Sequence, residues 1–233
     1  MSNKKTIIGS GLAGPLLANL LAKRGYSVDL FEKHADPRLE HVPAGRSINL
    51  ALSHRGIEAL KSASVFEMVE PLLIPMKGRM IHQKNGELDF QPYSMNAEEY
   101  INSVSRSELN KILITAAEDT GKVNIHFSHA LSSIQDNQLE FENSHKVEIE
   151  NEIIGADGSG SVIRKYIDSN CDLPSTAKPL GHAYKELNIA PGKNGDFQIN
   201  ANSLHIWPRG QFMLIGLPNT DKSFTCTLFM PNE

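Results

Sequence analysis

The segment Gly9-Ser10-Gly11-Leu12-Ala13-Gly14 constrains this chain more than any other. It follows the apolar run Thr6–Ile8, which reads as a short buried strand. It precedes Pro15 to about Arg24, where apolar spacing, an early proline and the closing Gly25 mark a helix. Ser27–Phe31 then alternates apolar and polar residues and ends at Glu32. Strand, turn, helix and strand make a βαβ unit, which gives a parallel sheet. The three glycines have separate uses: a tight turn at Gly9, close approach of the backbone to a pyrophosphate at Gly11, and helix–strand packing at Gly14. The helix N-terminus stabilises phosphate charge. Glu32, about 20 residues on, stands where an acid accepts hydrogen bonds from a ribose. An acid at that place favours an unphosphorylated ribose, so FAD or NAD rather than NADP. A glycine-rich turn in an α/β protein without any nucleotide is the plain alternative.

A second turn separates FAD from NAD. Asp157-Gly158-Ser159-Gly160-Ser161-Val162-Ile163-Arg164 has the form DGxxSxxR and follows the apolar strand Ile153–Ala156. A nicotinamide dehydrogenase has no need of it. By itself it is equally well an Asp and Ser cap on a helix. The form of this turn resembles the DG motif of the FAD-dependent aromatic hydroxylases, and with the first turn about 145 residues before it, in this order and each between strand and helix, the resemblance implies FAD.

The rest of the chain alternates between two patterns. Ile48–Leu52 reads as a strand, with Ser53 capping a helix through Leu60. From Ile74 the period drops toward two, and "KGRMIH" and "ELDFQPY" read as strands joined at Asn85-Gly86. Ser105 with Glu108 has the form of a capping box for a helix to Asp119. "VNIHF" is another strand, and "LEFENSHKVEIE" holds a small meander. After Pro174, "GHAYKELNIA", "SLHIWPR", "QFMLIGLPN" and "SFTCTLFMP" read as antiparallel strands by connection length. The expected fold is α/β. A Rossmann-like domain over 1–73 and 101–174 is interleaved with a mainly antiparallel β-sheet domain over 74–100 and 175–233.

Composition excludes some classes. With 233 residues, 40% hydrophobic, the chain can bury a real core, and a net charge of -4 offers no nucleic-acid surface. Cys171 and Cys226 lie far apart, so a reduced, cytoplasmic protein is expected rather than a disulfide framework. Glycines and a proline interrupt the N-terminal apolar run, against a signal peptide. No run approaches the ~18 apolar residues of a membrane span. His126 and His129 are a weak metal pair, since strand alternation sends them to opposite faces. No metal is expected, and no side-chain nucleophile either.

The stretches "GRSINLALSHRGIEAL", "IPMKGRMIH", "INSVSRSELNKIL" and "HIWPRGQFMLIGLPNTDKSFTCTLFMP", together with the DGxxSxxR turn, resemble the FAD-dependent aromatic hydroxylases. Over nearly the whole chain they resemble the kynurenine 3-monooxygenase family. The resemblance implies noncovalent FAD, reduction by NADPH, reaction with O2, and ortho-hydroxylation of the aniline ring of L-kynurenine by way of a flavin C4a-hydroperoxide. It places Gly9, Gly11, Ala13, Gly14, Phe31, Glu32, Lys33, His34, Ala51, Arg106, Leu131 and Asp157 at FAD. It gives Arg79 to the α-carboxylate of kynurenine, as a fork-to-fork pair that a lysine would not reproduce, and Tyr93 to the same pocket.

Read from residues alone, Arg79 stands half-buried among apolar neighbours, where an anion must meet it. An intramolecular salt bridge answers that as well as a ligand does, and Tyr93 is equally a packing aromatic. Arg106 beside the Ser105 cap opposes the helix dipole, which suggests an external anion; a solvated arginine is the ordinary alternative. The family's further Gly-Asp motif over the flavin ring is not found, and "NGDFQIN" is no substitute. The chain therefore reads as the N-terminal half of a longer protein. Its complementary half is the expected partner, without which the segment is expected to be poorly soluble. Another aromatic hydroxylase of this class, and a GDI-like non-enzymatic binding protein, stay open.

Overall fold

The computed structural model describes residues 3–39, 49–171 and 175–232. In chain order the first elements are β1 (Lys4–Ile8), α1 (Ala13–Lys23), β2 (Ser27–Phe31), β3 (Asn49–Leu52), α2 (His54–Ser62) and α3 (Phe66–Val69). Next come β4 (Ile74–Met76), β5 (Gly78–His82), β6 (Leu88–Pro92), β7 (Ile101–Ser105) and α4 (Arg106–Glu118). The chain continues through β8 (Val123–His126), β9 (Leu131–Gln135), β10 (Gln138–Phe141), β11 (Lys146–Glu148), β12 (Ile153–Gly155) and α5 (Val162–Asn170). It closes with β13 (His182–Ile189), β14 (Ser203–Arg209), β15 (Phe212–Pro218) and β16 (Phe224–Pro231). Ile48, expected to open the third strand, lies outside the described residues, as do Gly45, Arg46 and Ser47 of the quoted stretch and Pro174 at the expected boundary.

Two compact units emerge: Met1–Ala44, Leu60–Val65 and Leu109–Ala177 in the first, Gly45–Ala59, Phe66–Glu108 and Lys178–Glu233 in the second. The segments 49–59, 66–73 and 101–108 group with the second unit, where the sequence division sets them in the first. The boundary falls inside α4.

In the first unit β12, β1, β2 and β8 lie side by side as a parallel sheet. Helix α1 makes the crossover between β1 and β2. It begins at Ala13, two residues before the proline expected to open it, because Pro15 needs no N–H within the first turn. Ala18 and Ala22, one turn apart, pack with Ile7, Val28, Leu30, Ala117 and Val123 as an apolar core. Asn19 is buried there and donates to the Ala116 carbonyl at 3.0 Å, tying α1 to α4. A second core joins Ile8 and Phe31 to Leu131, Leu139, Phe141 and Ile163, under the antiparallel sheet β11–β10–β9.

The second unit holds a six-stranded sheet in the order β13–β16–β15–β14–β5–β6. Its four C-terminal strands are antiparallel, as expected, but β5 joins β14 in parallel, with Arg79 opposite Leu204. The sheet is therefore mixed. A smaller antiparallel sheet, β3–β7–β4, is bound to it through polar side chains: Asn49 Nδ2 and Ser103 Oγ both donate to the Pro218 carbonyl, at 2.9 and 2.8 Å. Among the described residues no helix is long and apolar enough to cross a membrane.

Candidate functional site

The glycine loop joins β1 to α1, and its geometry separates the three glycines. Gly9 has φ +105, and a Cβ there would lie 2.5 Å from the Ala156 carbonyl oxygen. At Gly14 a Cβ would collide with the Gly9 carbonyl oxygen, so the helix approaches the turn as closely as its backbone allows. Around the missing Cβ of Gly11 nothing lies within 4 Å. Ser10 Oγ is buried without a hydrogen-bond partner. No side chain caps the start of α1. Asn110 of α4 donates from Nδ2 to the carbonyls of Ser10 and Gly11, at 2.9 and 3.0 Å.

Glu32 leaves β2 beside this loop. Its Oε2 accepts from Ser10 N at 2.7 Å and its Oε1 from His34 N at 2.9 Å. Each oxygen keeps a lone pair for a hydroxyl donor. Lys33 and His34 are exposed. The Phe31 side chain is buried in the core and its carbonyl accepts from Gly9 N at 2.8 Å, so it fixes the loop from beneath. His126 stacks on Phe31 with centroids 4.6 Å apart. Strand alternation does not part His126 from His129: β8 ends at His126, Ser128 has φ 58, and the two rings meet edge to face at 5.9 Å.

In the second turn Asp157 looks inward. Its Oδ1 accepts from Ser161 Oγ at 2.6 Å, and its Oδ2 from the N–H groups of Val162 and Ile163 at 2.7 and 3.3 Å. Ser161 caps α5 by accepting from Arg164 N at 2.9 Å. The carboxylate thus holds the helix start, leaving the backbone of the turn as the face a ligand could meet. Leu131 is a core residue, and Ala13 is exposed at the first position of α1. Ala51 is exposed on β3. Arg106 opens α4, exposed, and pairs with no carboxylate among the described residues.

Arg79 differs from its sequence reading: it is exposed, not half-buried. The alternation of β5 sends Arg79 and Ile81 to one side while Gly78 packs against β6 on the other, where a Cβ would meet Pro92 Cα at 2.8 Å. The guanidinium carbon lies 4.9 Å from the Tyr93 ring centre, and no carboxylate among the described residues pairs with it. No carboxylate among the described residues therefore competes with a ligand for this guanidinium. The Tyr93 hydroxyl is buried without a hydrogen-bond partner. Burial pushes its pKa up, and the neighbouring cation opposes that only in part.

Sequence reasoning passed over a histidine pair on β5 and β14. His205, buried, holds its Nε2 2.7 Å from the Asn200 carbonyl, and its Nδ1 faces His82 Nε2 at 2.8 Å. A carbonyl only accepts, so His205 carries its proton on Nε2 and accepts from His82. Burial lowers the pKa of both rings. Trp207 stacks on His82 at 4.1 Å. Cys226 is buried, which raises its thiol pKa and keeps it inert.

A parallel βαβ sheet, a glycine loop with outward space at Gly11, and an acid at the tip of the next strand define a dinucleotide-binding α/β protein. Residues 4–190 match the family model of the FAD binding domain, and the chain belongs to that family. It is 46% identical to the kynurenine 3-monooxygenase of Myxococcus xanthus (strain DK1622), over 97% of this chain and 50% of that one. The kynurenine 3-monooxygenase of Legionella pneumophila (strain Corby) is 43% identical over 98% of this chain and 51% of its own length. The chain thus spans about half the length of these relatives. Its fold is shared by 2-methyl-3-hydroxypyridine-5-carboxylic acid oxygenase (TM-score 0.79, 18% identity, 99% of this chain and 59% of that). PqsL of P. aeruginosa is alike at TM-score 0.74 and 18% identity, over 98% of this chain and 60% of that one.

Proposed function

We propose that this chain carries the FAD site and part of the substrate sheet of a kynurenine 3-monooxygenase, hydroxylating L-kynurenine with NADPH and O2 in a reduced cytoplasm. The reading is supported above all by the identity to enzymes of that name across nearly the whole chain. A portion equivalent to the remaining half of those relatives is the proposed partner that completes the site.

The residues present suit FAD. Loop N–H groups that are unpaired among the described residues and the space at Gly11 suit a diphosphate, and the spare lone pairs of Glu32 suit a ribose. Ala13, Lys33, His34, Ala51, Arg106, Leu131 and the Asp157 turn are the further proposed contacts. Phe31 and Leu131 are core side chains, so they would meet the cofactor only through backbone. Bound FAD supplies hydride acceptance from NADPH and activation of O2. The chain's own part is to hold and orient. Arg79 presents a planar fork of donors beside the Tyr93 ring, fit for a carboxylate taken edge-on.

The test is turnover by the natural gene product. NADPH oxidation coupled to 3-hydroxykynurenine is expected with L-kynurenine and not with 4-hydroxybenzoate. Equal coupling to both would refute the substrate assignment, and a preparation that takes up no flavin would refute the cofactor.

A further inference from the structure

We propose that Asn110 is a positioning residue that locks the Gly9–Gly14 loop in the form that receives the FAD diphosphate. The inference rests on the FAD reading and adds a residue to it. Asn110 stands on α4, and its amide gives one hydrogen to the Ser10 carbonyl at 2.9 Å and one to the Gly11 carbonyl at 3.0 Å.

The peptides here are trans, and in a trans peptide the carbonyl and the following N–H point in opposite directions. Drawing the carbonyls of Ser10 and Gly11 onto α4 therefore turns the N–H groups of Gly11 and Leu12 away from it. Neither of these makes a hydrogen bond with the protein among the described residues. Two other N–H groups of the loop are tied: Gly9 N to the Phe31 carbonyl at 2.8 Å, Ser10 N to Glu32 at 2.7 Å. Two successive outward donors at the start of α1, over the open space at Gly11, make an anion-binding concavity. Without the Asn110 amide both carbonyls lose their partner. Either peptide can then flip and present an oxygen where the diphosphate needs a donor. The ends of the loop stay anchored in β1 and α1, so the loss falls on ligand affinity rather than on the fold.

The experiment is calorimetric titration of FAD into the apo form of the natural gene product and of two variants. Asn110→Leu keeps the volume without donors, and Asn110→Asp keeps the shape without donors. The expected result is a Kd raised about tenfold in Asn110→Leu and more in Asn110→Asp, with the apo Tm nearly unchanged. The phosphorus resonances of bound FAD should move with it, and Asn110→His, with one ring N–H, should recover part of the affinity. If Asn110→Leu does not fold, Asn110→Asp decides alone. FAD affinity within about twofold of the parent in Asn110→Asp overturns the inference while leaving the FAD reading intact. Affinity and Tm falling together in every variant also overturns it, since that marks a purely structural residue. A parent protein that binds no FAD overturns the reading beneath it as well.

Discussion

The guanidinium of Arg79 lies over the ring of Tyr93, 4.9 Å from its centre, on an exposed position of a strand whose neighbours on both sides are hydrogen-bonded. The strand is fixed from both flanks, so the arginine stem starts from a rigid point. The ring holds the cation without using up its in-plane donors. A charge arranged this way is kept in place yet free to pair.

The loop glycines should separate folding from binding. Gly14→Ala places a methyl against the Gly9 carbonyl oxygen, and neither backbone can yield. A loss of about 3 kcal/mol or more is expected, seen as poor soluble yield or a Tm lower by roughly 6–12 °C. Gly11→Ala meets no atom within 4 Å, so its apo Tm should match the parent while FAD binds more weakly. Unfolding curves and FAD titrations on the two variants check this. Equal stability losses would contradict it.

Asp157 is satisfied inside its own turn by Ser161 and by the first N–H groups of α5. Asp157→Ala is therefore expected to cost about 1–2 kcal/mol of stability, as lost caps do. Denaturant titration of the apo protein reads this directly. A variant as stable as the parent would show that the carboxylate is not engaged as described.

The His205 ring sets a pH dependence. Burial holds its folded pKa below the ordinary 6.5. The unfolded chain then binds more protons than the folded one as the pH falls through that value. Stability should be full above about pH 6.5 and decline below it, down through the folded pKa. His82, also lowered, adds in the same direction. Denaturant midpoints from about pH 8 to about pH 5 measure the slope, and His205→Phe should flatten it. A slope unchanged in that variant would place the titration elsewhere.

Much of the nucleotide unit was legible because its signals are local. Glycine and proline punctuate β1, α1 and β2, and the period changes from two to about 3.6 and back. Pairing partners far apart in sequence were not. Nothing in "KGRMIH" says that it joins β14 in parallel, and a short strand with Gly78 on one side misled the burial of Arg79. His126 and His129 were set on opposite faces because Ser128, at φ 58, breaks the alternation invisibly. Asn110 was missed because one polar residue on a helix carries no sign of the loop it reaches. The Asp157 turn was legible as a motif, yet only coordinates show its oxygens facing inward.

The most direct measurement compares the Kd of L-kynurenine with that of kynuramine, which lacks the carboxylate, in the natural gene product and in Arg79→Ala. The parent should prefer L-kynurenine by about tenfold or more, and the variant should bind both alike. A preference for L-kynurenine that survives intact in Arg79→Ala would contradict the role given to this arginine.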